Sequence, residues 1–267
     1  MKKSNLFRIG SAFMAVLLLS SFSAGVFASP PAKQTYYELK IYRLKDPGKN
    51  AIFDKYLKDA FIPAMHKAGI PVIGVFKPVE ADTAFGKMVY VFIPYETMDQ
   101  YNQVLTKLEA DAVYQQAGKD FLDAPYNDAP FTRYESVFMK AFSLMPQFRA
   151  PSFTTPRGER IYELRSYESW TEVKATKKIH MFNEGGEMAI FEKIGSNAVF
   201  YGQVLFGSQK PRLMYMTTYA DMNSQKEHWA AFSNHPDWKT LRAKEEYANT
   251  VIRPKAYLLH PTDYSDF

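Results

Sequence analysis

The chain is predicted to be α+β, built as two tandem units of the order β-α-β-β-α-β. Three observations carry that prediction. The hexapeptide Tyr37-Glu-Leu-Lys-Ile-Tyr42 returns as Tyr162-Glu-Leu-Arg-Ser-Tyr167, 125 residues later. After each copy the hydrophobic period switches between 2 and 3.6 in the same order of elements. Between the copies lies a connector, Ser143 to Gly158, with Pro146, Pro151 and Pro156 and no period, which marks a boundary.

Length and composition suit two packed domains. The 267 residues are 46% apolar and 16% aromatic, enough for two cores, with no sign of disorder. Residues 1 to 28 read as an export signal. Lys2, Lys3 and Arg8 form a positive start, Phe13 to Phe22 is a short apolar run, and Val26-Phe27-Ala28 offers small residues for cleavage after Ala28. The run is short for a membrane span, which takes about 20 apolar residues. The expected location is therefore periplasmic or secreted, with no membrane attachment after cleavage. Removing the signal lowers the basic residues from 33 to 30 against 28 acidic ones, a net charge of +2. That balance gives no footprint for nucleic acid. The absence of cysteine excludes disulfides, zinc–thiolate sites, iron–sulfur clusters and thiol nucleophiles.

Taken in order, a tether at 29–35 leads to a strand from Tyr36 to Arg43, where Tyr, Leu and Ile alternate with polar residues. Asp46-Pro47-Gly48 is a turn. Ala51 to Ala68 carries Phe53, Leu57, Ala60 and Ala64 on one helical stripe, which Pro63 should kink or end, with Gly69 as the stop. Pro71 to Lys77 and Lys87 to Ile93 are strands, Thr97 to Gly118 a polar helical region, and Tyr134 to Phe142 a fourth strand. The second copy runs Arg160 to Tyr167 (strand), Thr171 to Ile194 (helix), Ala198 to Phe206 and Arg212 to Thr218 (strands), Met222 to Phe232 and a piece from Pro236 (helices), and Ile252 to His260 (strand). Asn234-His235-Pro236-Asp237 reads as a helix start. The units span 35–142 and 160–261, joined by a linker at 143–159. This is the ferredoxin-like order, in which helices cover one sheet face and leave the other to be buried. Two copies in one chain can bury those faces together as a barrel-like sandwich.

The opening motif, the run Phe232-Ser-Asn-His-Pro-Asp-Trp-Lys-Thr-Leu-Arg242 and the closing Ile252-Arg-Pro254 together resemble the NIPSNAP domain family. The resemblance covers nearly all of 35–261 as two copies. The first departs from the pattern where Glu109-Ala-Asp-Ala-Val-Tyr114 replaces the His-Pro-Asp-Trp run. Membership implies the dimeric α/β barrel superfamily, which holds small monooxygenases, haem-degrading enzymes, chlorite dismutases and members of no known activity. It carries no catalytic residue over, because the family has no agreed catalytic motif.

Strand alternation puts Glu38, Lys40 and Tyr42 on one face, and Glu163, Arg165 and Tyr167 on the equivalent face of the second copy. If the apolar faces meet the helices, these six residues point between the two sheets. There they are the candidate ligand-binding set, two acids, two bases and two phenols able to orient an organic molecule and move a proton. The same residues also suit a purely structural network of paired charges. His180 and Glu184, at i and i+4 on a stripe with Glu187 and Phe191, are the only hint of a metal, and one helix supplies too few ligands. No metal or other cofactor is therefore predicted. There is no nucleotide-binding glycine loop and no Gly-x-Ser-x-Gly elbow. Two functional readings remain. One is a protein that binds or transforms a small organic molecule between its sheets, with monooxygenase-like chemistry as one form. The other is a non-catalytic module for protein contacts. A small-molecule ligand and a homo-oligomer are the expected partners.

Overall fold

A computed structural model describes residues 33–267; the expected export signal at 1–28 lies outside them. Its centre is a closed barrel of eight strands in the order β1-β3-β2-β8-β5-β7-β6-β4, every neighbouring pair antiparallel. The strands are β1 (Tyr36–Leu44), β2 (Gly74–Pro78), β3 (Met88–Tyr95), β4 (Phe131–Ala141), β5 (Ile161–Glu168), β6 (Asn197–Phe206), β7 (Arg212–Tyr219) and β8 (Arg253–Pro261). Each half reads outer strand, first strand, third strand, second strand: β4-β1-β3-β2 and β8-β5-β7-β6. The repeat seen in the sequence is thus a repeat of topology. Two seams join the halves. β2 pairs with β8 from Phe76↔Pro261 to Pro78↔Leu259, and β4 pairs with β6 from Phe138↔Phe206 to Ala141↔Gly202. Each half therefore removes the other's open sheet edges, which would otherwise invite aggregation.

The lumen holds a core of chiefly apolar side chains. Tyr37, Leu39, Phe76, Phe92, Phe200 and Met216 point into it, nearly or wholly excluded from water. Rings of the two halves interlock there, with Phe92 stacked on Phe200 at 4.7 Å and Phe76 beside Tyr162 at 4.7 Å.

Helices cover the barrel's outer face. In the first half α1 (Asn50–Tyr56) and α2 (Ile62–Ala68) are joined by a π-helical stretch, Leu57–Phe61. The Ile62 N–H reaches back five residues to the Leu57 carbonyl. This wider turn accommodates Pro63, and the helix continues to Gly69, whose φ of 102° ends it. The polar helical region is split into α3 (Met98–Ala110), α4 (Ala112–Ala117) and α5 (Lys119–Leu122). Asp111 makes the first break by taking extended backbone and accepting the Val113 and Tyr114 N–H groups at 3.0 and 3.2 Å.

In the second half the single helix expected over 171–194 is two, α6 (Glu172–Phe182) and α7 (Glu187–Lys193). Gly186 takes a φ of +93°, and a Cβ on Gly185 would stand 2.6 Å from the Met181 carbonyl oxygen. The two glycines permit a turn that no other pair makes cheaply. Helices α8 (Met222–Asn234) and α9 (Pro236–Arg242) follow, the latter capped by His235 Nδ1 accepting the Asp237 N–H at 3.1 Å, as the sequence predicts for this start.

Candidate functional site

The six candidate residues share faces as alternation requires, but the faces are reversed from the expectation. Tyr37 and Leu39, with Tyr162 and Leu164, fill the lumen, while Tyr42 packs with Phe53 and Leu57 and Tyr167 with Phe182, under the helices. Glu38, Lys40, Tyr42, Glu163, Arg165 and Tyr167 therefore do not meet between the sheets. They form two separate clusters, one beneath each set of helices. The cause is the supply of partners. The closed lumen offers chiefly apolar walls, whereas the helix side brings hydrogen-bonding groups to the carboxylates, and a buried charge without them is costly.

In the first half Glu38 accepts from Ser136 Oγ at 2.6 Å and Tyr95 OH at 3.2 Å, with Lys40 Nζ at 3.7 Å. Tyr42 stacks on Tyr134 at 5.2 Å. The space around them is aromatic: Tyr56 lies flat on Phe121 at 3.9 Å and shares a hydrogen bond with Tyr114. This half reads as a filled core with one satisfied carboxylate.

The second half is more charged. Glu163 accepts from Arg165 Nη1 at 2.6 Å, from Gln225 Nε2 at 2.8 Å and from the Trp229 indole N–H, the last two on α8. The Arg165 guanidinium lies over Trp229, 4.3 Å from the ring centroid, and beside Tyr167 at 5.5 Å. Its side chain keeps 19% exposure, and its buried Nε has no hydrogen-bond partner. Burial opposes its charge, but Tyr215, Tyr167 and Glu163 outweigh that and hold the guanidinium above its ordinary range. Tyr167 OH shares a hydrogen bond with Tyr215 OH at 2.9 Å, and burial pushes both phenols up.

Beside this lies a pair that sequence reasoning missed. Lys178 Nζ meets Glu187 Oε2 at 2.6 Å, boxed by Phe182, Trp238 and Tyr167. Burial pushes the Glu187 carboxyl up against the pull of Lys178. Treating 171–194 as one helix places Glu187 and Phe191 on an exposed stripe with His180 and Glu184. The break at Gly186 instead turns both inward, leaving His180 and Glu184 exposed. His180 Nδ1 sits 2.8 Å from Tyr247 OH, and no group of three metal-ligating side chains occurs among the described residues. The signal for the break was the Gly185-Gly186 pair itself.

A groove of about 490 Å³ lies between the connector and the α7–β6 region, lined by Met145, Arg149, Met188, Phe191 and Tyr201 among others. None of the six candidate residues lines it.

Several solved structures share the architecture. A proposed monooxygenase from Lactobacillus acidophilus NCFM is 12% identical, with a TM-score of 0.54 over 85% of this chain and 94% of its own. One from Fusobacterium nucleatum subsp. nucleatum is 8% identical, with a TM-score of 0.53 over 86% and 93%. An anthrone oxidase-like protein is 8% identical, with a TM-score of 0.52 over 87% and 93%. At these identities the likeness shows the fold alone, a barrel of the dimeric α/β kind. No curated protein matches the sequence. The sequence model of one family matches two segments, residues 37–124 and 162–266, one in each half of the barrel. The chain belongs to the NIPSNAP family, with two copies of its domain closing one barrel.

Proposed function

We propose that this is an exported protein that binds and transforms a small organic molecule in its second half, beneath α6 and α8, rather than between its sheets. The observation that carries the reading is Arg165. Its guanidinium is held in place by Glu163 and Trp229, yet it is part-exposed and has a donor without a partner. A cation fixed in this way stabilises an oxyanion without reorganising, the commonest large contribution to catalysis. Tyr167 stands beside it as a proton-bearing group, and Lys178–Glu187 supplies a second charged pair behind it. The residues themselves would supply proton transfer and oxyanion stabilisation, so the proposal invokes no resident cofactor. Monooxygenase-like chemistry is one form it would take, in keeping with the neighbours of this fold.

Mass spectrometry of small molecules retained by natively purified protein tests the reading. A compound should copurify with the wild type and be lost from Arg165→Met. The second reading, a non-catalytic module, draws on the chiefly apolar lumen and on the complete set of partners around Glu163. It gains if wild type and variant both purify empty and differ only in stability.

A further inference from the structure

The two ends of the barrel are built differently. Because neighbours are antiparallel around the eight strands, β1, β2, β5 and β6 all run one way. Toward the end where β5 begins, aromatic rings gather: Phe267 lies beside Tyr162 and Phe92, each at 6.2 Å, and beside Phe148 at 5.9 Å. At the opposite end the inward register ends in charge. Arg43 on β1 is paired with Arg133 on β4, and Glu168 on β5 with Arg212 on β7 and Arg253 on β8. Lys255 pairs with Ser166 one rung deeper. Glu135 on β4 accepts from Arg212 Nη2 at 2.6 Å, and Glu168 meets Arg253 at 3.2 Å and Lys255 at 3.4 Å.

Five cations thus share this rim with two acids. Arg43 and Arg133 make no ion pair among the described residues and are exposed. Beneath the rim two polar atoms are buried without a partner, Arg212 Nε and Ser166 Oγ, in residues only 4% and 1% exposed. The apolar floor is also reachable. Ile41, Met88 and Tyr257 are only partly buried, whereas Leu39, two residues deeper along β1 than Ile41, and Leu164, the cross-strand partner of Tyr257, are wholly excluded from water.

We infer that this open mouth binds a small organic anion, its carboxylate among Arg43, Lys255 and Arg212 and its apolar body on Ile41, Met88 and Tyr257. Crowded cations repel one another, and an anion relieves that repulsion. A bare inorganic anion would leave the apolar floor wet, so the chemistry favours a carboxylate on an aromatic or alkyl body. The site lies on the opposite face of β5 from Arg165 and stands independently of the function proposed there.

The probes are 1-naphthoate, its neutral counterpart 1-naphthalenemethanol, and inorganic phosphate, titrated into protein carrying 13C-methyl methionine. 1-Naphthoate should shift the Met88 methyl and weaken with added salt. In Arg43→Gln/Lys255→Gln its affinity should fall about tenfold, as one exposed and one partly exposed charge are lost, while Arg253 keeps Glu168 paired and the melting temperature stays close to wild type. Arg165→Met should leave it unchanged. Equal binding of the alcohol, phosphate binding as tight as naphthoate, wild-type affinity in the double variant, or no Met88 shift at millimolar naphthoate would each overturn the inference.

Discussion

Lys178 on α6 and Glu187 on α7 form an ion pair at 2.6 Å, with side chains only 6% and 3% exposed, across the glycine turn that separates their helices. The pair ties the turn to the core beneath it. Such a pair is costly to break and often cheap to replace whole. Lys178→Met should lose roughly 3 to 5 kcal/mol near neutral pH, while Lys178→Met/Glu187→Leu should fall within about 2 kcal/mol of wild type. The sign of the pH dependence follows from Glu187, whose folded pKa is raised by burial. A raised carboxyl contributes stability fully present below its unfolded value and lost as pH rises through its folded one. The deficit of Lys178→Met should therefore shrink as pH falls toward the ordinary glutamate range, and urea melts at several pH values would read it. A deficit that grows on acidification would contradict the assignment.

Arg165→Met separates the two functional readings. If the Glu163–Arg165 pair is structural, the stranded carboxylate should cost roughly 3 to 5 kcal/mol. If the part-exposed guanidinium serves a ligand, water can solvate what remains. The loss should then be about 1 kcal/mol or less, with retained ligand or activity abolished. Chemical denaturation, run beside the mass spectrometry, measures both.

Tyrosine ionisation reports the packing on both barrel faces. Burial pushes Tyr219 up to about 12, and Tyr37, Tyr162 and Tyr201 up as well. Raised phenols hold their stabilising contribution below the ordinary tyrosine value and lose it as pH rises through the folded one. An alkaline titration followed at 295 nm should therefore show these rings staying protonated until the protein unfolds cooperatively. Smooth, reversible ionisation of every tyrosine near the ordinary value would argue against the packed lumen.

Export is tested at the amino terminus. Mature protein from the periplasm or medium should begin at or near Ser29. Protein starting at Met1 in a membrane fraction would exclude cleavage.

The repeat, the order of elements and the shared faces were legible in the sequence, because each rests on local rules. A strand turns alternate residues to opposite sides, so Glu163, Arg165 and Tyr167 had to travel together. Thr97, Asp111 and His235 cap through bonds to N–H groups two or three residues on, and no distant partner is needed. Which way a strand's face points is not local. Tyr37-x-Leu39 and Glu38-x-Lys40 were both destined for burial, one in the lumen and one under helices. Only the assembled barrel showed that the donors able to satisfy the carboxylates, Ser136 on β4 and Gln225 and Trp229 on α8, come to the outer face. The same holds for Lys178 and Glu187, whose meeting depends on the left-handed turn at Gly186. Periodicity sees a face within one element. Partners 62 or 98 residues away, as for Glu163 and Gln225 or Glu38 and Ser136, are chosen by closure of the whole chain.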